Sequence, residues 1–152
     1  MKLLDILDQD LIKADITSKG KREVLEELSA IVANREGLDL KELVNVLEER
    51  EKLGSTGIGN GIAIPHGKLK GLKNLVASFG RSAKGVDFES IDGKPTHLFF
   101  LLIAPENTAG THLKALARIS RLLKDKKFRE DLLRAKTSEE IFSIIKEEDD
   151  KF

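Results

Sequence analysis

Three side chains in this sequence have the type and setting to handle a charged group: His66, His112 and Arg50. With no cysteine and no tyrosine, the nucleophiles reduce to Ser, Thr, Asp, Glu, Lys and the histidines His66, His97 and His112. Histidine is the informative class, because its unperturbed pKa lies close to neutral pH. His66 stands between Pro65 and Gly67, after a short strand-like Ile62–Ile64. Pro65 stiffens the exit from that strand, and Gly67 is expected to let the backbone turn beside the ring and open one side to a partner. Upstream, Gly54, Gly57, Gly59 and Gly61 leave the backbone free to point N–H groups inward as a nest for phosphate oxygens, with Ser55 and Thr56 adding hydroxyl donors. The plainer alternative is that the glycines only form turns and His66 caps a loop.

His112 falls in the first turn of an expected helix, where free N–H groups and the helix dipole attract anions. It could bond a phosphoryl oxygen or orient His66, or simply cap the helix. Arg50 precedes the glycine run and could reach a bound phosphoryl group as a forked, fixed charge. It also stands among Glu48, Glu49 and Glu51, so a solvated face with weak ion pairs is the bland reading. His97 opens an apolar strand and reads as a structural histidine.

Other chemistries fit poorly. Gly67–Lys68 is followed by Leu69 and preceded at the required spacing by Ile62, so there is no Walker A loop. Gly57 and Gly59 would need a third glycine where Ile62 stands, so the dinucleotide fingerprint fails. No two histidines have the spacing of a helical metal motif, and neither a metal nor another cofactor is expected. Carboxylates are plentiful, which leaves a carboxylate hydrolase open, but none has a distinctive context.

The elements that must position these residues follow from the apolar pattern. The chain has 152 residues, one domain by length (1–152), with 40% hydrophobic and 34% charged residues. Lys plus Arg and Asp plus Glu both number 26, which gives no footprint for nucleic acid or an anionic membrane. No stretch approaches the roughly 18 apolar residues of a membrane span. The acidic, leucine-containing start lacks the form of a signal peptide, so a cytoplasmic location is expected.

Leu11–Ile16 alternates as an edge strand. Ser18 is expected to open a helix with Val24, Leu25, Leu28, Ile31 and Val32 on one face, ended by Gly37. Asp39 and Glu42 make a capping box for a second helix reaching Leu53, with Leu40, Leu43, Val44 and Leu47 as its stripe. Strands are expected at Ile62–Ile64 and Leu75–Arg81. His97–Ala104, a continuous apolar run, predicts a strand covered on both faces. Helices are expected at Thr111–Leu123, at Lys127–Ala135 and after Thr137, and the charged run Glu147–Lys151 is expected to fray. Helices, strands and helices again point to an α/β domain with helices on both faces of the sheet.

The segment Arg50–Lys68, REKLGSTGIGNGIAIPHGK, resembles the active-site signature of the IIA components of the bacterial phosphoenolpyruvate-dependent sugar phosphotransferase system, fructose/mannitol type, which includes the nitrogen-regulatory IIA proteins. The resemblance continues through Val86–Glu106 and Thr111–Asp125, and so covers nearly the whole chain in order. It implies a three-layer α/β/α sandwich with a mixed β-sheet. It implies that His66 carries a phosphoryl group, that His112 is the second active-site histidine and that Arg50 is the active-site arginine. Ser55 and Thr56 match as loop residues. The implied donor is the phosphorylated histidine carrier protein and the implied acceptor is a IIB component. No fused IIB or IIC domain is expected, and from Val86 onward the sequence looks closer to fructose-type IIA proteins. Two functions follow from the resemblance: a phosphotransferase intermediate in sugar uptake, or a nitrogen-regulatory protein whose phosphorylation state switches partner contacts. A third option, a binding module that has lost transfer, is disfavoured by the joint presence of His66, Arg50 and His112.

Overall fold

The computed structural model describes residues 1–151. Among them a mixed sheet of six strands is built from β1 (Ile12–Lys13), β2 (Gly57–Gly59), β3 (Ile62–Ala63), β4 (His66–Leu69), β5 (Val76–Val86) and β6 (Thr96–Pro105). Five helices accompany it: α1 (Lys21–Glu36), α2 (Leu40–Lys52), α3 (Ala109–Leu123), α4 (Lys126–Arg134) and α5 (Ser138–Asp150). The strands run in the order β1-β5-β6-β3-β2, and β4 also pairs with β6. β5 is antiparallel to β6, whereas β1 is parallel to β5 and β3 and β4 are parallel to β6.

The apolar run of β6 occupies the middle of the sheet, and Leu98–Ala104 are all at most 1% exposed. Strand alternation shows which helices cover which face. A side chain at Gly80 would strike Leu28 of α1, whereas the adjacent Arg81 donates to the Leu132 carbonyl of α4. α1 and α2 pack together on one face, and α3, α4 and α5 are linked by contacts on the other, which gives the α/β/α layering. Two edge-on aromatic pairs, Phe79–Phe100 and Phe88–Phe99, bring β6 against its neighbours with ring centroids 4.8 and 5.4 Å apart.

Local signals explain most element ends. Gly37 closes α1 at φ 67°, Asp39 caps α2 by accepting from the Lys41 and Glu42 amides, and Thr137 caps α5 by accepting from Glu140 N–H. Three expectations need correction. α1 starts at Lys21 rather than at Ser18, because Gly20 is held in a bridge to Asp87 and the Ser18 hydroxyl donates to Glu27 within the helix (2.5 Å). Leu40 is 40% exposed and lies off the buried face of α2. The C-terminal charged run is helical and anchored. Asp149, 1% exposed, accepts from the Leu3 and Leu4 amides and pairs with Arg118 at 2.7 Å.

Candidate functional site

His66 is positioned by an interrupted strand. Ile62 and Ala63 face Leu98 and Phe99, and His66 and Gly67 face Leu102 and Ile103, so the register with β6 keeps the same offset across Ile64–Pro65. Pro65 has no N–H to give the ladder, but its carbonyl still accepts from Leu102 N–H (2.9 Å). Ile64 N–H bonds the Thr56 carbonyl at 3.0 Å, while the Ile64 carbonyl lies 2.8 Å from His66 Nδ1. A carbonyl can only accept, so Nδ1 carries the proton and Nε2 carries the lone pair. Nε2 faces Arg50, whose Nε–H points to it at 3.4 Å.

Arg50 is held by its second contact, Nη1 to the Gly54 carbonyl at 2.9 Å. Close packing of α2 on β4 brings it there. A Cβ on Gly67 would lie 2.7 Å from Val46 Cγ1, so only glycine lets the helix come this near. Gly67 is therefore a strand residue that admits a helix, not a turn beside the ring. Its side-chain position faces α2, and the alternation of the strand turns His66 toward α3, where His112 meets it edge-on with ring centroids 5.5 Å apart. His112 is 6% exposed, and neither ring nitrogen has a hydrogen-bond partner among the described residues. Thr108, before α3, gives no side-chain cap to that helix, because its hydroxyl donates to the Pro105 carbonyl. The positive end of α3 is thus left open beside the two rings.

Both histidines are held below the ordinary imidazole pKa. For His66 burial is the main cause. The bond to Ile64 opposes it, the Arg50 charge adds to it and the Glu51 carboxylate opposes it. For His112 burial again leads, followed by the charges of His66 and Lys68. The surrounding cleft, of about 660 Å³, is lined by Val46, Glu49, Arg50, Leu53, His66, Gly67, Lys68, Ala109, His112, Leu113 and Leu116. An unprotonated ring nitrogen flanked by a guanidinium, a helix N-terminus and an unpartnered imidazole is suited to attack an electrophilic centre that carries anionic oxygens.

The structure brings His66, His112 and Arg50 together, but not the glycine run. Ser55, Thr56, Gly57, Gly59 and Gly61 do not line this cleft. They lead into and form a hairpin, β2 to β3, whose turn is Asn60–Gly61 with φ 57° and 75°, the geometry that Asn-Gly favours. Several donors of this stretch are already bonded to protein partners. Thr56 N–H bonds Glu51, Gly57 N–H bonds Ser55 Oγ, Asn60 N–H bonds Asp92 and Ser55 Oγ–H bonds the Phe88 carbonyl. The Thr56, Gly57 and Asn60 N–H groups, expected to point inward as part of a nest, are thus taken up by side chains outside the cleft. Neither Leu69, which is 3% exposed, nor Ile58, which lies on the hairpin outside the cleft, forms the apolar rim. Leu53 and Leu113, 84% and 66% exposed, form the rim instead. Their signal in the sequence was a leucine standing off the buried stripe of its helix. His97 is structural as expected, its Nδ1 lying 2.8 Å from the Ser82 carbonyl.

A family model described as phosphoenolpyruvate-dependent sugar phosphotransferase system, EIIA 2, matches residues 5–148. A nitrogen regulatory protein of Bradyrhizobium diazoefficiens is 41% identical over 145 residues, covering 95% of both chains. The fructose-specific EIIABC component of Bacillus subtilis is 41% identical over 150 residues, 98% of this chain but 24% of that longer protein. Among solved structures, the nitrogen regulatory protein IIA-Ntr of Neisseria meningitidis superposes with a TM-score of 0.87 at 36% identity, covering 93% of this chain and 97% of that one. The Escherichia coli complex of enzyme IIA mannitol with phosphorylated enzyme IIB mannitol shares the fold, with a TM-score of 0.77 at 19% identity, covering 93% of this chain and 97% of that one. This nitrogen-regulatory and this fructose-specific relative thus match at the same overall identity, which does not by itself separate the two branches. With the fold, the site and the match over residues 5–148 in agreement, the chain belongs to the EIIA type 2 family of the phosphoenolpyruvate-dependent sugar phosphotransferase system.

Proposed function

We propose that this chain is a phosphocarrier that takes a phosphoryl group onto Nε2 of His66 from a phosphorylated histidine carrier protein and yields it to a second protein. The observation that carries this reading is the fixed tautomer: Nδ1–H is tied to the Ile64 carbonyl at 2.8 Å, leaving the Nε2 lone pair facing the cleft and Arg50. In uptake, that lone pair attacks phosphorus, the donor's N–P bond breaks and its electron pair returns to the donor ring. Nδ1 keeps its proton throughout, so no general base is required. Alignment and charge stabilisation then set the rate of a loose phosphoryl transfer. Arg50, His112 and the open end of α3 supply positive potential to the phosphoryl oxygens. Ser55, Thr56, Gly57, Gly59 and Gly61 support the site from behind rather than as oxygen donors. No step needs a metal or another cofactor.

The proposed acceptor is a IIB protein, the partner recorded with the Escherichia coli mannitol IIA of the same fold. A regulatory role is the second reading. It is favoured by the end-to-end correspondence with a nitrogen regulatory protein, where the match covers 95% of both chains. Incubation with phosphoenolpyruvate, enzyme I and the carrier protein, followed by intact-mass measurement, tests the common chemistry. One acid-labile phosphoryl group is expected on the wild type and none on His66→Ala. Normal uptake by His66→Ala would overturn it. Rapid discharge to an added IIB protein favours transport, and a long-lived phosphoprotein favours regulation.

A further inference from the structure

Glu51 sits where helix energetics disfavour it. It lies in the last turn of α2, whose negative end repels an acid, and it is only 9% exposed. A buried carboxylate persists only when paired and bonded, and a local rule broken this way points to a role elsewhere. Its partners are all donors: Lys21 Nζ at 2.9 Å, Thr56 N–H at 3.0 Å and the Thr56 hydroxyl. Lys21 is itself held by the buried Phe88 ring, whose centroid is 4.9 Å away, and by Glu89 at 3.6 Å on the exposed side. Thr56, 4% exposed, is therefore clamped at both its amide and its side chain.

The clamp continues to the reacting ring. The Thr56 carbonyl accepts from Ile64 N–H at 3.0 Å, and the Ile64 carbonyl accepts from His66 Nδ1–H at 2.8 Å. We propose that Glu51, acting through Thr56 and Ile64, is a positioning residue that fixes the tautomer and orientation of His66. The sheet alone does not fix them. Pro65 interrupts the donor side of the β6 ladder beside His66, and hairpin pairing on the other side ends at Ala63. Beyond it, the Thr56–Ile64 bond is what holds Ile64 from the outer side. Successive N–H and C=O groups in this chain belong to different peptide units, so the effect is geometric rather than a through-bond relay. Lys21 and the Thr56 amide share one oxygen of the carboxylate, and the Thr56 hydroxyl donates to the other. An amide in its place loses the charge that pairs with Lys21 and can keep all three contacts only by reversing the hydroxyl bond, so that Thr56 accepts.

This inference rests on the reading of His66 as the phosphoryl acceptor, but one of its readouts does not. Ring ¹⁵N shifts of His66 report which nitrogen is protonated whether or not transfer occurs. In the wild type the Nδ1–H form is expected to dominate. In Glu51→Gln and Thr56→Val its excess should fall by about tenfold, the effect of losing one charge-assisted hydrogen bond. Phosphoryl uptake should slow by a similar factor with KM for the carrier unchanged, and Thr56→Ser, which keeps the hydroxyl, should restore both. If Glu51→Gln does not fold, Thr56→Val and Thr56→Ser carry the same comparison. A wild-type tautomer balance and uptake rate in folded Glu51→Gln or Thr56→Val would overturn the inference and leave the phosphocarrier reading intact. Absence of uptake by the wild type, with the tautomer balance shifted as stated, would overturn that reading and leave the positioning role standing.

Discussion

Arg50 Nε–H points at His66 Nε2 from 3.4 Å, so a permanent positive charge faces the nitrogen that the Ile64 bond leaves unprotonated. A cation there makes protonation of the ring unfavourable, and burial does so more strongly. The same cation is placed to meet the oxygens of a phosphoryl group once one is attached. In the proposed role Arg50 disfavours ring protonation before transfer and would neutralise phosphoryl charge after it, from a position fixed by its bond to the Gly54 carbonyl.

Uptake should remain active to lower pH than free imidazole allows. Only neutral His66 has a lone pair to attack with, and its pKa lies below the ordinary value of about 6.5. The acid limb of a pH–rate profile should therefore have its midpoint below that value. Arg50→Ala should move it upward, though not fully to the free value, because burial remains. The linkage sign follows. Histidines with folded pKa values below their unfolded ones give stability that is present above about pH 6.5 and is lost as pH falls through the folded values. His66 and His112 should both contribute this way, and denaturation midpoints across that range check it.

His112 should show activity and stability in opposition. Its two ring nitrogens are buried without partners among the described residues, a condition that costs about 1–3 kcal/mol for a polar group. His112→Leu should leave folding unchanged or stabilise it by up to about 1 kcal/mol. Removing a donor aimed at the transition state should slow transfer about 100-fold. Urea unfolding and single-turnover transfer on the same variant measure both.

Gly67→Ala should push α2 away from β4, because the added methyl meets Val46 at 2.7 Å. A loss of about 1–3 kcal/mol is expected from overpacking, with a drop in transfer as Arg50 moves. Adding Val46→Ala makes room and should recover part of both. A double-mutant cycle showing no coupling would mean that the contact does not set the helix position.

Leu53→Ser and Leu113→Ser should alter docking without altering the fold. Both leucines are mostly exposed, so stability should change by no more than about 0.5 kcal/mol. If the rim receives donor and acceptor proteins, KM should rise with kcat nearly unchanged. Steady-state transfer at varied carrier concentration checks this.

Much of this arrangement was legible in residue order, for physical reasons. β6 could be read because seven consecutive apolar residues match a doubly covered strand in length and pattern, and the end of α1 and the starts of α2 and α5 carry their own capping residues. The grouping of His66, Arg50 and His112 came from resemblance rather than periodicity, since those residues stand on β4, α2 and α3, which meet only through tertiary packing. The glycine run reads as a nest because its glycines outweigh Asn60–Gly61, the one dipeptide in it that signals a two-residue hairpin turn. Only the pairing of Gly57 with Ala63 decides between them. Glu51 looked like one more acid on a solvated face, because its burial depends on Lys21 arriving from another helix. Asp149 was missed in the same way, its partners being at the opposite end of the chain.

The central claim is that Nε2 of His66 is the atom that carries the phosphoryl group. Its most direct test is ¹⁵N and ³¹P NMR of the protein phosphorylated from phosphoenolpyruvate through enzyme I and the carrier. The account predicts one phosphohistidine, with phosphorus coupled to Nε2 of His66 and Nδ1 still protonated. Phosphorus bonded to Nδ1, or to any residue other than His66, would contradict it.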